Sequence, residues 1–250
     1  MSATAAARSV RERGILFSAA MVRAILDGRK TQTRRLITRH HSLVNGHPWP
    51  AKEWARLDFN DAFVDPGPSP AGNPGPYLRV ARPDDGTRHR VYPRMQLGDR
   101  MWVRESFSAW FSMWVRESFS AWFSFWDWYD VAPESRTHAS CVNLFYRVTH
   151  QYPDDDQRWV PPMFMPRWAS RLTLTLTDVR VERVQDISDS DAIREGIPDY
   201  PDCKGDCPRD DFRQLWDSLH AGRGYGWDVN PWVWVLSFRV TSPTGDPSDG

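Results

Sequence analysis

Apolar positions recur along this chain at two different periods. Residues 14–17, Gly-Ile-Leu-Phe, form a short apolar run bounded by polar sequence and read as a strand. From Ser18 the spacing widens to Met21, Val22, Ile25 and Leu26, one face of a helix capped by Ser18 and stopped at Gly28. Later the period returns to two. Residues 143–149 alternate in strand fashion, and over 172–184 Leu172, Leu174 and Leu176 alternate with threonines, the clearest half-buried strand of the chain. A short helix is expected over 192–196 and a longer one over 209–219, where Phe212, Leu215, Trp216 and Leu219 share a face. The apolar run of residues 231–240 reads as a closing strand. Strands predominate and short helices flank them, which predicts an α+β chain built around a small, partly open β-barrel.

Two stretches break this pattern. Between Pro48 and Pro93 there are nine prolines, and Pro66-Gly67-Pro68-Ser69-Pro70 does not fit a sheet interior. Residues 47–94 therefore read as a Pro-rich insertion on a single domain spanning 14–240, after a flexible basic arm (1–13) and before a disordered tail (241–250). The second stretch is a perfect tandem repeat: MWVRESFSAWFS occupies 101–112 and recurs unchanged at 113–124. Two copies of twelve residues are too few and too short for a solenoid. Because twelve is even, an added copy preserves the inward or outward sense of every strand position, so a longer hairpin would accommodate it. Glu105 and Glu117 are then equivalent candidates for any role that the repeat carries.

Composition narrows the classes. The net charge is zero, which argues against a protein that coats long nucleic acid by phosphate neutralisation. Residues 8–41 nevertheless hold nine Arg or Lys against two acids, a local excess suited to one phosphate or a short oligonucleotide. Three cysteines make no disulfide framework, and Cys203 and Cys207 lack a second close pair to complete a zinc site with Cys141 or His220. No metal or cofactor is expected. His40 and His41 read as solvated. No apolar run is long enough for a spanning helix and no secretory pattern opens the chain, so a cytoplasmic protein without a membrane partner is expected.

Only three of the 32 basic residues are lysines, and Lys30 sits in the densest polar cluster, 27–35. Lysine sheds its proton when its pKa is depressed, and arginine does not. Lys30 is thus either part of a solvated basic helix end or a base set among Arg29, Arg34 and Arg35. Lys30 and Thr33 share a face if the segment is helical; Thr33 and Arg35 share one if it is extended.

Several blocks together resemble the ASCH domain of the PUA-like superfamily: Gly28-Arg29-Lys30-Thr31-x-Thr33-x-Arg35, then Gly98-Asp99-x-Met101-x-Val103, and the closing 232–238. Residues 165–171, 191–197 and 224–234 are similar to stretches of phage and prophage members. The resemblance covers about half the residues and stops at the Pro-rich insertion and the repeat. It implies a β-barrel whose cleft takes a nucleobase, a nucleoside or short single-stranded nucleic acid. It also implies, from small members that deacetylate N4-acetylcytidine, a working set of Lys30, Thr33 and Glu195 accompanied by Arg35. Lys30 would activate Thr33, Glu195 would handle the leaving amine, and Arg35 would stabilise the oxyanion. The alternative is a non-catalytic RNA- or DNA-binding module. For either, Arg29, Arg167, Arg171, Trp102 and Trp168 are candidate substrate contacts, with Trp114 and Trp227 as further stacking surfaces.

Overall fold

The architecture follows from where each apolar stripe is buried. The structure is a computed structural model and describes residues 9–67, 75–115, 119–124, 139–149, 159–200 and 207–241. The arm before residue 9, Pro68 and Pro70, Glu117, Cys203 and the tail from residue 242 lie outside the described residues. The strands are β1 (Glu12–Leu16), β2 (Gln32–Leu36), β3 (Ser42–Val44), β4 (Asp58–Asp65), β5 (Tyr77–Arg82), β6 (Thr87–Pro93), β7 (Arg100–Arg104), β8 (Phe107–Val115), β9 (Phe119–Ser124), β10 (Ala139–Tyr146), β11 (Thr173–Arg183) and β12 (Trp232–Val240). The helices are α1 (Ala19–Leu26), α2 (Ala51–Trp54), α3 (Asp189–Arg194) and α4 (Cys207–His220). The chain is α+β, as its pattern predicts. The expected barrel is not formed: the sheets are open, each ladder ending on edge strands, and the four-stranded one is too narrow to curl onto itself.

The chain divides into two compact units. The first takes the described residues of Met1–Glu12, Asp27–Arg100 and Leu174–Val240. In it β12 lies antiparallel between β11 and β2, with Leu236 opposite Thr33 and Val179 opposite Leu236. One face of these strands is apolar where Leu36, Val233 and Val235 pack on Ala192 of α3 and on Phe212 and Trp216 of α4, with Trp227 in the same cluster. Burying such side chains contributes about 1.5–3 kcal/mol each.

The Pro-rich insertion is more regular than its composition suggests. It supplies β4, β5 and β6, which with β3 form a four-stranded antiparallel sheet of order β3-β6-β5-β4. The prolines punctuate this sheet rather than exclude it: Pro66 follows β4, Pro76 precedes β5 and Pro93 ends β6. Between them, Leu78, Val80 and Val91 are fully buried. The signal was present in residues 77–82, Tyr-Leu-Arg-Val-Ala-Arg, which alternates, but proline density hid it.

The second unit takes the described residues of Arg13–Leu26, Met101–Thr173 and Thr241–Gly250. β1 runs beside β7, and β8 lies between β10 and β9. Ser18 caps α1, its Oγ accepting from Met21 N at 3.3 Å. The two identical dodecapeptides take different places. The first supplies β7, breaks at Glu105-Ser106 and starts β8; the second finishes β8 and returns as β9, with Val115 opposite Phe119.

Candidate functional site

The site grows from a strand parity and a bulge. β2 is extended from Gln32, so Gln32, Arg34 and Leu36 share the face that meets α3 and α4, and Thr33 and Arg35 take the other. In β11, Leu174 and Leu176 are buried on one face, and regular alternation would put Asp178 with them. The register shifts between Leu176 and Asp178, so Thr177 is an extra residue. Beyond it Val179 and Val181 take over the apolar face, and Asp178, Arg180 and Glu182 turn towards the helices. Successive rungs across β2, β12 and β11 then read Gln32–Ser237–Asp178, Arg34–Val235–Arg180 and Leu36–Val233–Glu182.

α3 supplies the opposing charges. Ser188 caps it, accepting from Asp191 N at 3.2 Å, which starts the helix earlier than residue 192. Asp191 and Glu195 are four residues apart, and so face the same side. Lys30, only 1% exposed, donates through Nζ to the Glu195 backbone carbonyl at 2.6 Å and to its Oε2 at 2.8 Å. Arg34 donates to Glu195 Oε1 at 3.2 Å, to Asp191 Oδ2 at 3.2 Å, and to Glu182 Oε1. Arg180 and Arg194 complete the ring on Asp191, at 3.5 and 3.3 Å.

The electrostatics follow. Burial pushes the Lys30 ammonium below the usual lysine range; the Glu195 carboxylate opposes the shift, and the charges of Arg35 and Arg34 add to it. Burial would raise Asp191, but Arg34 and Arg180 overcome it and hold the carboxyl below its ordinary value. Burial lowers the Arg35 guanidinium against the pull of Glu195. Among the described residues no group of three or more His, Cys, Asp or Glu side chains is arranged to hold a metal ion.

A cleft of about 360 Å³ opens at the polar end of these strands, lined by Thr31, Gln32, Thr177, Asp178, Arg180, Arg194, Ser237 and Phe238. Thr31 follows Lys30 in the chain and Arg194 precedes Glu195, so the lining adjoins the buried pair on both sides.

Of the residues expected to work together, Lys30 and Glu195 meet. Thr33 does not join them: it is buried in β2 on the face away from Gln32 and Arg34, and its hydroxyl hydrogen-bonds neither Lys30 nor Glu195. Arg35 shares the Thr33 face yet stays within electrostatic reach of Glu195. Arg29 is exposed, bound to Asp27 at 3.0 Å and to the Gly196 carbonyl at 3.2 Å. The sequence singles out Arg34 only as a charge near Lys30, and Gln32, Asp178, Arg180 and Asp191 not at all. The i, i+4 spacing of Asp191 and Glu195 and the parity of 32 and 34 were readable signals for three of them.

Trp102, Arg167, Trp168 and Arg171 belong to the second unit, and Trp227 to the first. Trp102 is buried under the Arg104 guanidinium, 4.5 Å from its ring centroid, and is closed to base stacking. Arg171 is held bidentately by Glu105 at 2.9 and 3.0 Å and lies over the Tyr146 ring. Arg167 donates to Thr173 Oγ1 at 3.2 Å. Trp168 is 55% exposed. Trp227 is core. No helix among the described residues is long and apolar enough to cross a membrane. Comparison with family models, with curated proteins and with solved structures returned no match.

Proposed function

We propose that the first unit recognises a modified cytidine nucleoside or base in a PUA-like manner, and hydrolyses the N4-acyl amide without a metal. The observation that carries this reading is the buried Lys30–Glu195 pair, whose lysine is held below its normal pKa beside a polar cleft. In this reading Lys30 Nζ takes the proton of Thr33 Oγ1 as that oxygen attacks the acyl carbonyl. The proton that Lys30 took then passes through the Glu195 carboxylate to N4 as the C–N4 bond breaks, and water releases the acyl group from Thr33. Because Thr33 is buried on the other face of β2 and does not line the cleft, the first step requires both that Lys30 leave Glu195 and that this strand shift to present Thr33 to the substrate.

A second reading, binding without turnover, is favoured by a specific contact: Lys30 already satisfies a helix-end carbonyl and a carboxylate. One assay separates the two. Purified protein is incubated with N4-acetylcytidine, and release of cytidine is followed by chromatography. Hydrolysis is expected, and Lys30→Arg and Thr33→Ala are expected to lower its rate by roughly 10²–10⁴-fold. Absence of turnover over a series of acylated nucleosides would leave the binding module.

A further inference from the structure

The sheet of the Pro-rich insertion has one apolar face and one that is charged and aromatic. Leu78, Val80 and Val91 are buried on the first. Strand parity sends Phe63, Arg79 and Arg90 to the second, because Phe63 of β4 stands opposite Arg79 of β5, and Arg79 opposite Arg90 of β6. One rung thus carries a ring and two guanidiniums across three strands, each strand about 4.8 Å from the next. Arg88 and Ala81 make the neighbouring rung. Alanine is small enough for the Arg88 side chain to cross β5 and reach β4. There it donates to the Asp61 carbonyl at 3.1 Å and to the Asp61 carboxylate, and lies over the Phe63 ring, 5.4 Å from its centroid.

This face is accessible: Phe63 is 50% exposed, and the side chains of Arg88 and Arg79 are 40% and 29% exposed. It also holds a charge that the fold does not compensate. Two arginines placed directly opposite each other on neighbouring strands repel. Arg79 lies 3.5 Å from Asp65, but that carboxylate also accepts from Tyr77 Oη at 2.6 Å. Asp61 is taken by Arg88, and Asp58 accepts from the backbone N–H of Asn60 at 2.9 Å. Arg90 has no carboxylate partner among the described residues. Its guanidinium rests against Tyr77, 5.9 Å from the ring centroid. Of its nitrogens only Nε is both buried and without a hydrogen bond, so Nη1 and Nη2 stay open to a ligand.

Guanidinium N–H groups match the oxygens of a phosphodiester, and an exposed ring beside them takes the face of a base. Single-stranded nucleic acid supplies both along its length. A duplex keeps its bases stacked inside, away from Phe63, and an acidic peptide leaves the ring unused. We propose that this face of the insertion sheet binds a short single-stranded nucleic acid, with a base stacked on Phe63 and a backbone phosphate held by Arg79 and Arg90. The site shares no residue with the cleft lined by Arg180 and Arg194, and does not depend on the hydrolytic reading.

The test is fluorescence anisotropy of the full chain with a labelled oligodeoxythymidylate of about ten nucleotides, a length suited to one such surface. Unlabelled oligonucleotide and polyglutamate of similar length serve as competitors. Wild type should bind, with an affinity that falls as salt rises. Arg90→Gln should weaken binding several-fold and lower the slope of log affinity against log salt by about 0.7, the share of one single-strand phosphate. Phe63→Ala, at an exposed position, should weaken binding about tenfold and leave that slope unchanged. No binding, wild-type affinity in either variant, or displacement by polyglutamate as effective as by oligonucleotide would overturn the proposal. Oligonucleotide binding with these responses, but no release of cytidine from N4-acetylcytidine, would sink only the hydrolase reading. Deacetylation at full rate without oligonucleotide binding would sink only this site.

Discussion

His220 shows how one residue's surroundings set a measurable pH response. Its ring packs against Trp216, with centroids 4.2 Å apart, and Arg223 Nη2 lies 2.8 Å from Nδ1. Because a guanidinium only donates, Nδ1 has to accept, and the ring is neutral in this contact. Burial, then the charges of Arg223 and Arg35, push its pKa down to about 4. The folded value lies below the unfolded one, so between roughly pH 6.5 and 4 the unfolded chain binds more protons. Stability is complete above that window and is lost as pH falls through it. With solvent screening allowed for, the loss by pH 5 should be about 1–2 kcal/mol. Urea midpoints at pH 7 and pH 5 measure it, and His220→Gln should flatten the difference; equal slopes in both proteins would refute the assignment. At the same scale, Lys30 was legible as unusual because lysine is rare in this chain, while its partner 165 residues away was not.

At the scale of the element, α3 is six residues long and has little helical stability of its own. Its C-terminal end is held from outside, by three consecutive residues on three consecutive carbonyls. Thr31 N donates to the Arg194 carbonyl at 2.9 Å, Lys30 Nζ to that of Glu195, and Arg29 Nη1 to that of Gly196. These are the orphan acceptors of a helix end, where cations are favoured. The N-terminal end depends on Ser188. Ser188→Ala should therefore cost about 1 kcal/mol of unfolding free energy in urea. It should also loosen the placement of Asp191 and Glu195, visible as faster amide exchange at residues 189–195. An unchanged midpoint would mean that the clamp alone holds the helix. β11 gives the complementary lesson: its apolar positions change from even (174, 176) to odd (179, 181), a phase slip visible in the sequence that marks the bulge.

For the whole molecule, the tandem repeat offers the most direct experiment. Deleting 101–112 or 113–124 yields the same sequence, because the copies are identical. The remaining copy can supply β7, the Glu105–Arg171 pair and the part of β8 that faces β10, while β9 is lost. Among the described residues β9 pairs with β8 alone, at the edge of its sheet. The shortened chain should fold with a single urea transition and a stability change of about 1 kcal/mol or less. Loss of the transition would show that the second copy is structural.

Local periodicity, capping serines and stop glycines settled α1, α4, β11 and β12, because each of these depends on side chains a few positions apart. Prolines obscured the sheet of the insertion, although its alternation was there to be read. Barrel closure was not decided locally, since it depends on how far ladders continue at their edges. Lys30 stands out in the sequence by its rarity, whereas Glu195 comes forward only through the resemblance. That they meet and that Thr33 faces away was decided by tertiary packing. Strand register and one bulge set which side of a sheet a residue occupies, and neighbours far apart in the chain then determine its charge and its partners.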